Sequence, residues 1–203
     1  MRKGQSTIVG FILVTAIAVV IVSISLLWAM PLLEKIRDQQ EVDRIELKFL
    51  EIHEAVKKVA SEQGSLSVDF NIPQGILTLN NVNNTIIYNG EFDLANPIIR
   101  KAVFGNVSLE EMRSFNISGP GTLGIDEPAV LIEQGAIELF LHYRPLANSA
   151  NECFRIKLMP GNQPGAGIGR HTIILTWKGE NATTFPIDCS AGLTDQLVEF
   201  NVL

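Results

Sequence analysis

The first 33 residues contain a long apolar run that no charge interrupts. No Asp, Glu, Lys or Arg occurs from Gln5 to Leu33, and Glu34 and Lys35 follow at once. Residues 11–30 alone would form a helix of about 30 Å, which is enough to cross the hydrocarbon core of a bilayer. The pattern therefore predicts a membrane-spanning helix at the N-terminus.

A second helical pattern follows, in which apolar residues are spaced alternately three and four positions apart. Pro31 lies between the two patterns and is expected to loosen or kink the helix, because proline removes one backbone hydrogen bond. Gly64 stands where a helix stop is expected. The apolar positions of this seam are Val42, Ile45, Phe49, Ile52, Val56 and Val59.

Two interpretations of the seam remain open. In the first, residues 5–63 form one long helix whose outer half docks onto a following domain. In the second, the seam is a juxtamembrane coiled coil that pairs two copies of an anchored protein. The seam spans only about two and a half heptads, so packing on its own domain would also satisfy it.

From Ser65 onward the apolar residues alternate with polar ones, which is the period of half-buried β-strands. Short strands near ten residues apart, separated by turn signals, predict an antiparallel sandwich or barrel. Residues 109–114 are expected to form a short helix or turn. The strands are predicted at 66–70, 76–79, 85–88, 97–104, 129–133, 136–143, 153–159, 171–178, 183–187 and 197–202, with turns at 73–75, 89–90, 119–121, 134–135 and 178–179. The fold class is therefore α+β, with a long apolar helix followed by an all-β, sandwich-like antiparallel domain over residues 65–203.

Composition and charge narrow the class of protein. The chain has 203 residues, is 46% hydrophobic and carries a net charge of −6. The residues after the helix suit a single domain. Arg2 and Lys3 precede the apolar run, so the positive-inside rule predicts that this domain lies outside the membrane. It contains no basic cluster, and we therefore expect no nucleic-acid binding.

The sequence offers no constellation typical of catalysis. His53, His142 and His171 are far apart and lack metal-ligand spacing. The glycine-rich segment 161–170 leads into a predicted strand rather than a helix, so the usual phosphate-binding mechanism has no helix N-terminus to use. We interpret it as a loop. The sequence predicts no enzyme activity, no cofactor and no metal.

Cys153 and Cys189 are the only cysteines. Because both lie in the part predicted to be outside the cell, we expect one disulfide. It would close a loop of roughly 37 residues and contribute about 3–4 kcal/mol in the chain-entropy model. The alternative is a pair of buried thiols that never meet, since spacing alone does not bring their Cα atoms within about 7 Å.

Four asparagines stand in the pattern N-x-[ST] that N-glycosylation requires. All four lie in the predicted outer domain, so surface glycosylation is expected. They are Asn83, Asn106, Asn116 and Asn181.

The charged start of the chain is followed directly by the apolar run, and its only obvious processing site, around Gly4 and Gln5, precedes that run. A secretory signal peptide has its cleavage site after the apolar region. The arrangement resembles the class III signal peptide of type IV pilins and archaeal flagellins, and is most similar to the archaeal branch. Bacterial type IV pilins usually begin their mature form with Phe and carry Glu at its fifth position, where this chain has Gln5 and Val9.

The resemblance implies a sequence of events. A prepilin peptidase would cleave after Gly4 and remove residues 1–4, leaving Gln5 as the N-terminus. The helix, inserted in the membrane before assembly, would then bundle with copies of itself into a helical filament at the cell surface, where the filament serves adhesion. The expected partners are other copies, the peptidase and the pilus assembly machinery.

Three alternatives stay open at this point. The first is that the helix is an uncleaved signal anchor. The second is that the chain is a membrane-retained member of the same secretion class, such as a minor pilin or a stator-like component. The third is an anchored extracellular enzyme or solute-binding module.

Overall fold

The computed structural model describes residues 3–94, 98–105, 120–135, 137–183, 189 and 192–203. One α-helix, α1 (Lys3–Glu62), contains both helical patterns, and Pro31 lies inside it. The residue that ends the helix is Gln63, which has a φ of 57° and whose N–H donates to the carbonyl of Val59. This is the left-handed cap that glycine more often supplies, one residue before the predicted stop at Gly64.

The rest of the described chain is β-structure in two six-stranded sheets. The first sheet has the order β1-β11-β12-β9-β8-β5 and the second β10-β2-β3-β7-β6-β4. The predicted class, a long helix followed by a β-sandwich-like domain, is confirmed. The strands are β1 (Ser65–Ile72), β2 (Ile76–Asn80), β3 (Thr85–Asn89), β4 (Ile98–Phe104), β5 (Gly121–Thr122), β6 (Ala129–Gly135), β7 (Glu138–Tyr143), β8 (Leu146–Ala147), β9 (Cys153–Pro160), β10 (Gly165–Ala166), β11 (Gly169–Thr183) and β12 (Leu193–Val202).

Two strand pairings among the described residues are parallel, where the sequence predicted an antiparallel domain. Strand β12 runs parallel to β9, and β5 runs parallel to β8. In the first of these pairings, β12 lies between β11, to which it is antiparallel, and β9, to which it is parallel. A strand that inserts next to a distant strand leaves no local signal in the sequence.

The predicted turn at residues 178–179 was also wrong. Gly179 has a φ of +118°, and the register between β11 and β12 shifts between Trp177 and Gly179. Glycine at positive φ supplies a β-bulge here, so the strand continues to Thr183 instead of reversing. Residues 109–114 and most of the strand predicted at 183–187 lie outside the described residues.

The seam of α1 is buried in the chain's own domain. Its six apolar side chains are at most 2% exposed and belong to one core that contains residues of both sheets. The ring of Phe49 meets that of Phe70 in β1 edge to face, with centroids 6.1 Å apart. The coiled-coil interpretation was therefore wrong for this seam, because side chains enclosed by the domain cannot face a second copy.

Candidate functional site

The most prominent surface feature is the part of α1 that no other element covers. We call residues 11–33 the uncovered segment. Sixteen large apolar side chains in it are between 50% and 86% exposed. The best 18-residue window of the helix has a mean hydropathy of 2.8 and no buried residue, so by length and composition it is able to cross a membrane. The N-terminal position also fits a signal sequence.

The few polar side chains of the uncovered segment are satisfied within the helix. The hydroxyl groups of Thr15, Ser23 and Ser25 each donate to the carbonyl oxygen four residues earlier, at 2.8 Å. Such bonds remove the need for water as a partner. The segment therefore suits an apolar environment even at its polar positions.

The cost of leaving this segment in water shows that it needs a partner. Burying one large apolar side chain is worth about 1.5–3 kcal/mol, so sixteen exposed ones represent on the order of tens of kcal/mol. That exceeds the roughly 5–15 kcal/mol by which a typical domain is stable. If the segment is retained in the mature protein, lipid or other protein chains cover it, and if it is a signal sequence, it is removed.

The domain contacts the helix almost directly after the uncovered segment. Asp38 accepts a hydrogen bond from the backbone N–H of Asp93 at 2.9 Å, and Lys35 lies 4.0 Å from the carboxylate of Asp93. Both contacts are exposed and contribute little stability. They show, however, that the change from uncovered to docked helix takes only about two turns.

A histidine and two charged residues connect the outer half of α1 to the loop before β6. The Nε2 atom of His53 lies 3.3 Å from a carboxylate oxygen of Glu127, and Lys57 donates to the same oxygen at 3.0 Å. His53 is only 2% exposed and packs against the rings of Phe104 and Tyr143. Burial lowers the pKa of His53, and the hydrogen bond from Lys57 lowers the pKa of Glu127.

A second ionic contact connects the helix to β4 and β6. The ammonium of Lys101 lies 3.2 Å from carboxylate oxygens of both Glu46 and Glu133. Glu133 is fully buried, and burial together with the neighbouring Glu46 carboxylate raises its pKa. A lone lysine between two carboxylates holds the helix to the second sheet.

The predicted cleavage site lies in the first turn of α1. The structure describes the helix from Lys3 onward, so Gly4 and Gln5 lie at its N-terminal end, where a helix opens at less cost than in its interior.

The two cysteines are joined. Cys153 and Cys189 form a disulfide with Cα atoms 5.6 Å apart. Cys153 begins β9, and its register partner Leu193 begins the parallel strand β12. The disulfide thus closes the start of the parallel β9–β12 pair.

Two of the four predicted glycosylation sites lie within the described residues. Asn83, in the β2–β3 turn, and Asn181, in β11, are both exposed. In the first site, however, Thr85 is 5% exposed, and its hydroxyl contacts the carbonyl of Asn83 and Nδ1 of His142. Asn106 and Asn116 lie outside the described residues.

The three histidines do not come together. His142 contacts Thr85 and His171 contacts the carbonyl of Gly167, while His53 lies on the helix. The residues that sequence reasoning missed are those that hold the helix to the domain, above all Glu127, Lys101 and Glu133. The one available signal was the charged Glu133 directly after the apolar residues 129–132.

Comparison with known protein families, with curated proteins and with solved structures found no match to this chain.

Proposed function

We propose that this chain is the structural subunit of an extracellular filament similar to a type IV pilus, and that the filament attaches cells to surfaces. A prepilin peptidase removes residues 1–4 in this proposal. The helix then leaves the membrane and packs with the helices of other copies, while the β-domain coats the outside. The observation that carries the proposal is the division of one continuous helix into an uncovered apolar part and a docked part.

The all-round exposure of the uncovered segment supports a multi-subunit bundle. A helix that contacts one partner needs a single apolar face, whereas one that is apolar on every side needs apolar surroundings on every side. Lipid supplies them before assembly, and several neighbouring helices supply them afterwards. Small residues such as Gly10, Ala16 and Ala18 would let these helices approach closely.

A second candidate is a membrane-retained minor pilin or stator-like component. Trp28 favours it: its ring is 86% exposed and it precedes the first charges by six residues, which is typical of a side chain at the membrane–water interface. In this case the helix would remain in lipid. The β-domain would then be the part that meets other proteins.

Peptide mass spectrometry of material sheared from the cell surface separates the two candidates. A fibrous fraction whose chain begins at Gln5 supports the filament subunit. A chain found solely in the membrane fraction contradicts it and supports the retained component.

A substitution at the processing site tests the leader directly. Gly4→Leu places a bulky side chain beside the scissile bond, and we expect it to abolish processing. The matched control is Gly10→Leu, since a Cβ atom at Gly10 meets nothing within 4 Å. Mass spectrometry is expected to find residues 1–4 retained in the first variant and removed in the second. A normally processed and assembled Gly4→Leu chain would disprove the leader.

A further inference from the structure

The β-domain has exposed apolar surface at two opposite ends along α1. Strand β1 runs back along the helix, as the contact of Phe70 with Phe49 shows. Its last residue, Ile72, pairs with Gly169, so the start of β11 lies at the end nearer the uncovered segment. A groove lined by residues between positions 54 and 63 lies at the other end, where α1 stops.

At the near end, the loop between β10 and β11 forms an apolar protrusion. Ile168 is 71% exposed and stands between two glycines, with the His171 ring donating to the carbonyl of Gly167 at 2.9 Å. Ala166 pairs with Leu77, which brings the loop beside Ile76, itself 55% exposed. We call residues 76 and 167–170 the near rim.

At the far end, a groove of about 800 Å³ separates the last turns of α1 from the first sheet. Leu123 and Phe154 in its wall are 46% and 37% exposed. We call it the far groove. Its apolar lining includes Ala55, Ala60, Leu123, Leu146, Phe154 and Ile156.

The charges that have no ion-pair partner within the described residues are complementary between the two surfaces. Arg170 on the near rim is exposed and makes no ion pair within the described part of the chain. The far groove is lined by two carboxylates and three cations, Glu54, Glu180, Lys57, Lys58 and Arg155. Within the described residues Lys57 pairs with Glu54 and Glu127, Lys58 with Glu62, and Arg155 with Asp195, which leaves Glu180 without a cation. The carboxylate of Glu180 accepts a hydrogen bond from Gln196 at 2.8 Å, and it remains exposed.

We infer that the far groove of one copy binds the near rim of another, with Ile168 in the groove and Arg170 beside Glu180. Within one chain the two surfaces cannot meet, because β11 separates Gly169 from Glu180 by about 35 Å at roughly 3.3 Å per residue. A contact between different patches of identical chains is heterologous, and it propagates when it does not close. The inference rests on the proposed filament, in which parallel helices would bring the near rim of one copy towards the far end of another.

Cysteine pairs in the full chain test this contact. The variant Ile168→Cys with Leu123→Cys, oxidised as sheared fibres, is expected to give a ladder of covalent multimers that disappears on reduction. The matched control is Ile168→Cys with Val82→Cys. Val82 is 88% exposed in the turn that follows β2, also at the far end but outside the groove, and is expected to give no ladder.

A charge exchange gives a second readout. Arg170→Glu is expected to lower fibre yield about tenfold through like-charge contact with Glu180. The double variant Arg170→Glu with Glu180→Arg is expected to restore it. Fibres without a ladder, an equal ladder in the control, or a double variant no better than the single one would overturn the inference and leave the filament proposal intact. If the unmodified chain forms no fibres, both fail.

Discussion

The two halves of α1 are parts of one helix, yet one is exposed to solvent and the other packs against the β-domain. The inner half, which contains the uncovered segment, is apolar on every side and has no buried side chain in its apolar window, whereas the outer half is apolar along one seam, and the described domain covers that seam. The difference teaches that the distribution of apolar residues around a helix, more than their number, indicates where its partner lies. In this chain the one-sided stripe packs against its own domain, whereas the all-round apolar surface is not covered by any described part of the chain.

The largest expected effect comes from a charge in the inner half. Val20 is 55% exposed and far from the domain. Val20→Asp should abolish filaments, because an ionised carboxylate cannot be buried unpaired in a helix bundle. Electron microscopy of sheared material measures this, and Val20→Leu is the control that keeps the site apolar.

The contrast between the two halves would not be tested if Val20→Asp abolished filaments by unfolding the β-domain. Thermal unfolding of the β-domain in detergent should be the same for Val20→Asp and the unmodified chain. Normal filament yield from Val20→Asp would show that the inner half does not form the filament core.

A substitution in the seam should have the complementary effect. Phe49→Ala removes a fully buried ring and its contact with Phe70, which should cost about 3–5 kcal/mol of unfolding free energy. Leu47, on the same helical turn but 65% exposed, provides the control: Leu47→Ala should cost less than about 0.5 kcal/mol. Denaturant unfolding of both variants in detergent measures the difference, and equal losses would contradict the docked seam.

The disulfide should stabilise the domain without involving either half of the helix. Replacing both Cys153 and Cys189 by alanine should lower the unfolding free energy by about 3–4 kcal/mol in the chain-entropy model, given a sequence separation of 36 residues. A reducing agent should destabilise the unmodified chain and leave the variant unchanged. A variant as stable as the unmodified chain would contradict this assignment of stability.

The smallest expected effect concerns His53, in the outer half of α1. Burial lowers its pKa below the ordinary value of 6.5, so the folded protein binds the proton less readily than the unfolded chain. Its contribution to stability is therefore present above about pH 6.5 and is lost as the pH falls below it. The buried Nδ1 atom has no partner within the described part of the chain, which adds to the cost of protonation.

The measurement is the unfolding free energy of the unmodified chain and of His53→Phe between pH 7 and pH 5. The difference between them should change with pH, with the unmodified chain losing more stability. Glu133 acts in the opposite direction, because its raised pKa favours the folded state at lower pH. It is present in both chains and cancels, so parallel curves would show that His53 does not titrate as described.

Much of this architecture was readable from local patterns. The charge-free run of residues 5–33 and the three-four spacing from Val42 to Val59 determined a long helix with two kinds of surface, since helical periodicity needs no distant information. Alternation from Ser65 determined the β-domain in the same way. The sequence did not determine whether the seam packs against its own domain or against a second copy of the chain.

The tertiary structure decided that question and the sheet order. The seam faces its own domain because the two sheets present enough apolar surface to enclose Phe49 and its neighbours. Strand β12 lies between β9 and β11, Gly179 forms a bulge rather than a turn, and Lys101 meets Glu46 and Glu133. These pairings join residues far apart in the chain, and their free energy depends on packing and burial, which exist once the chain has folded and leave no periodic signal before it.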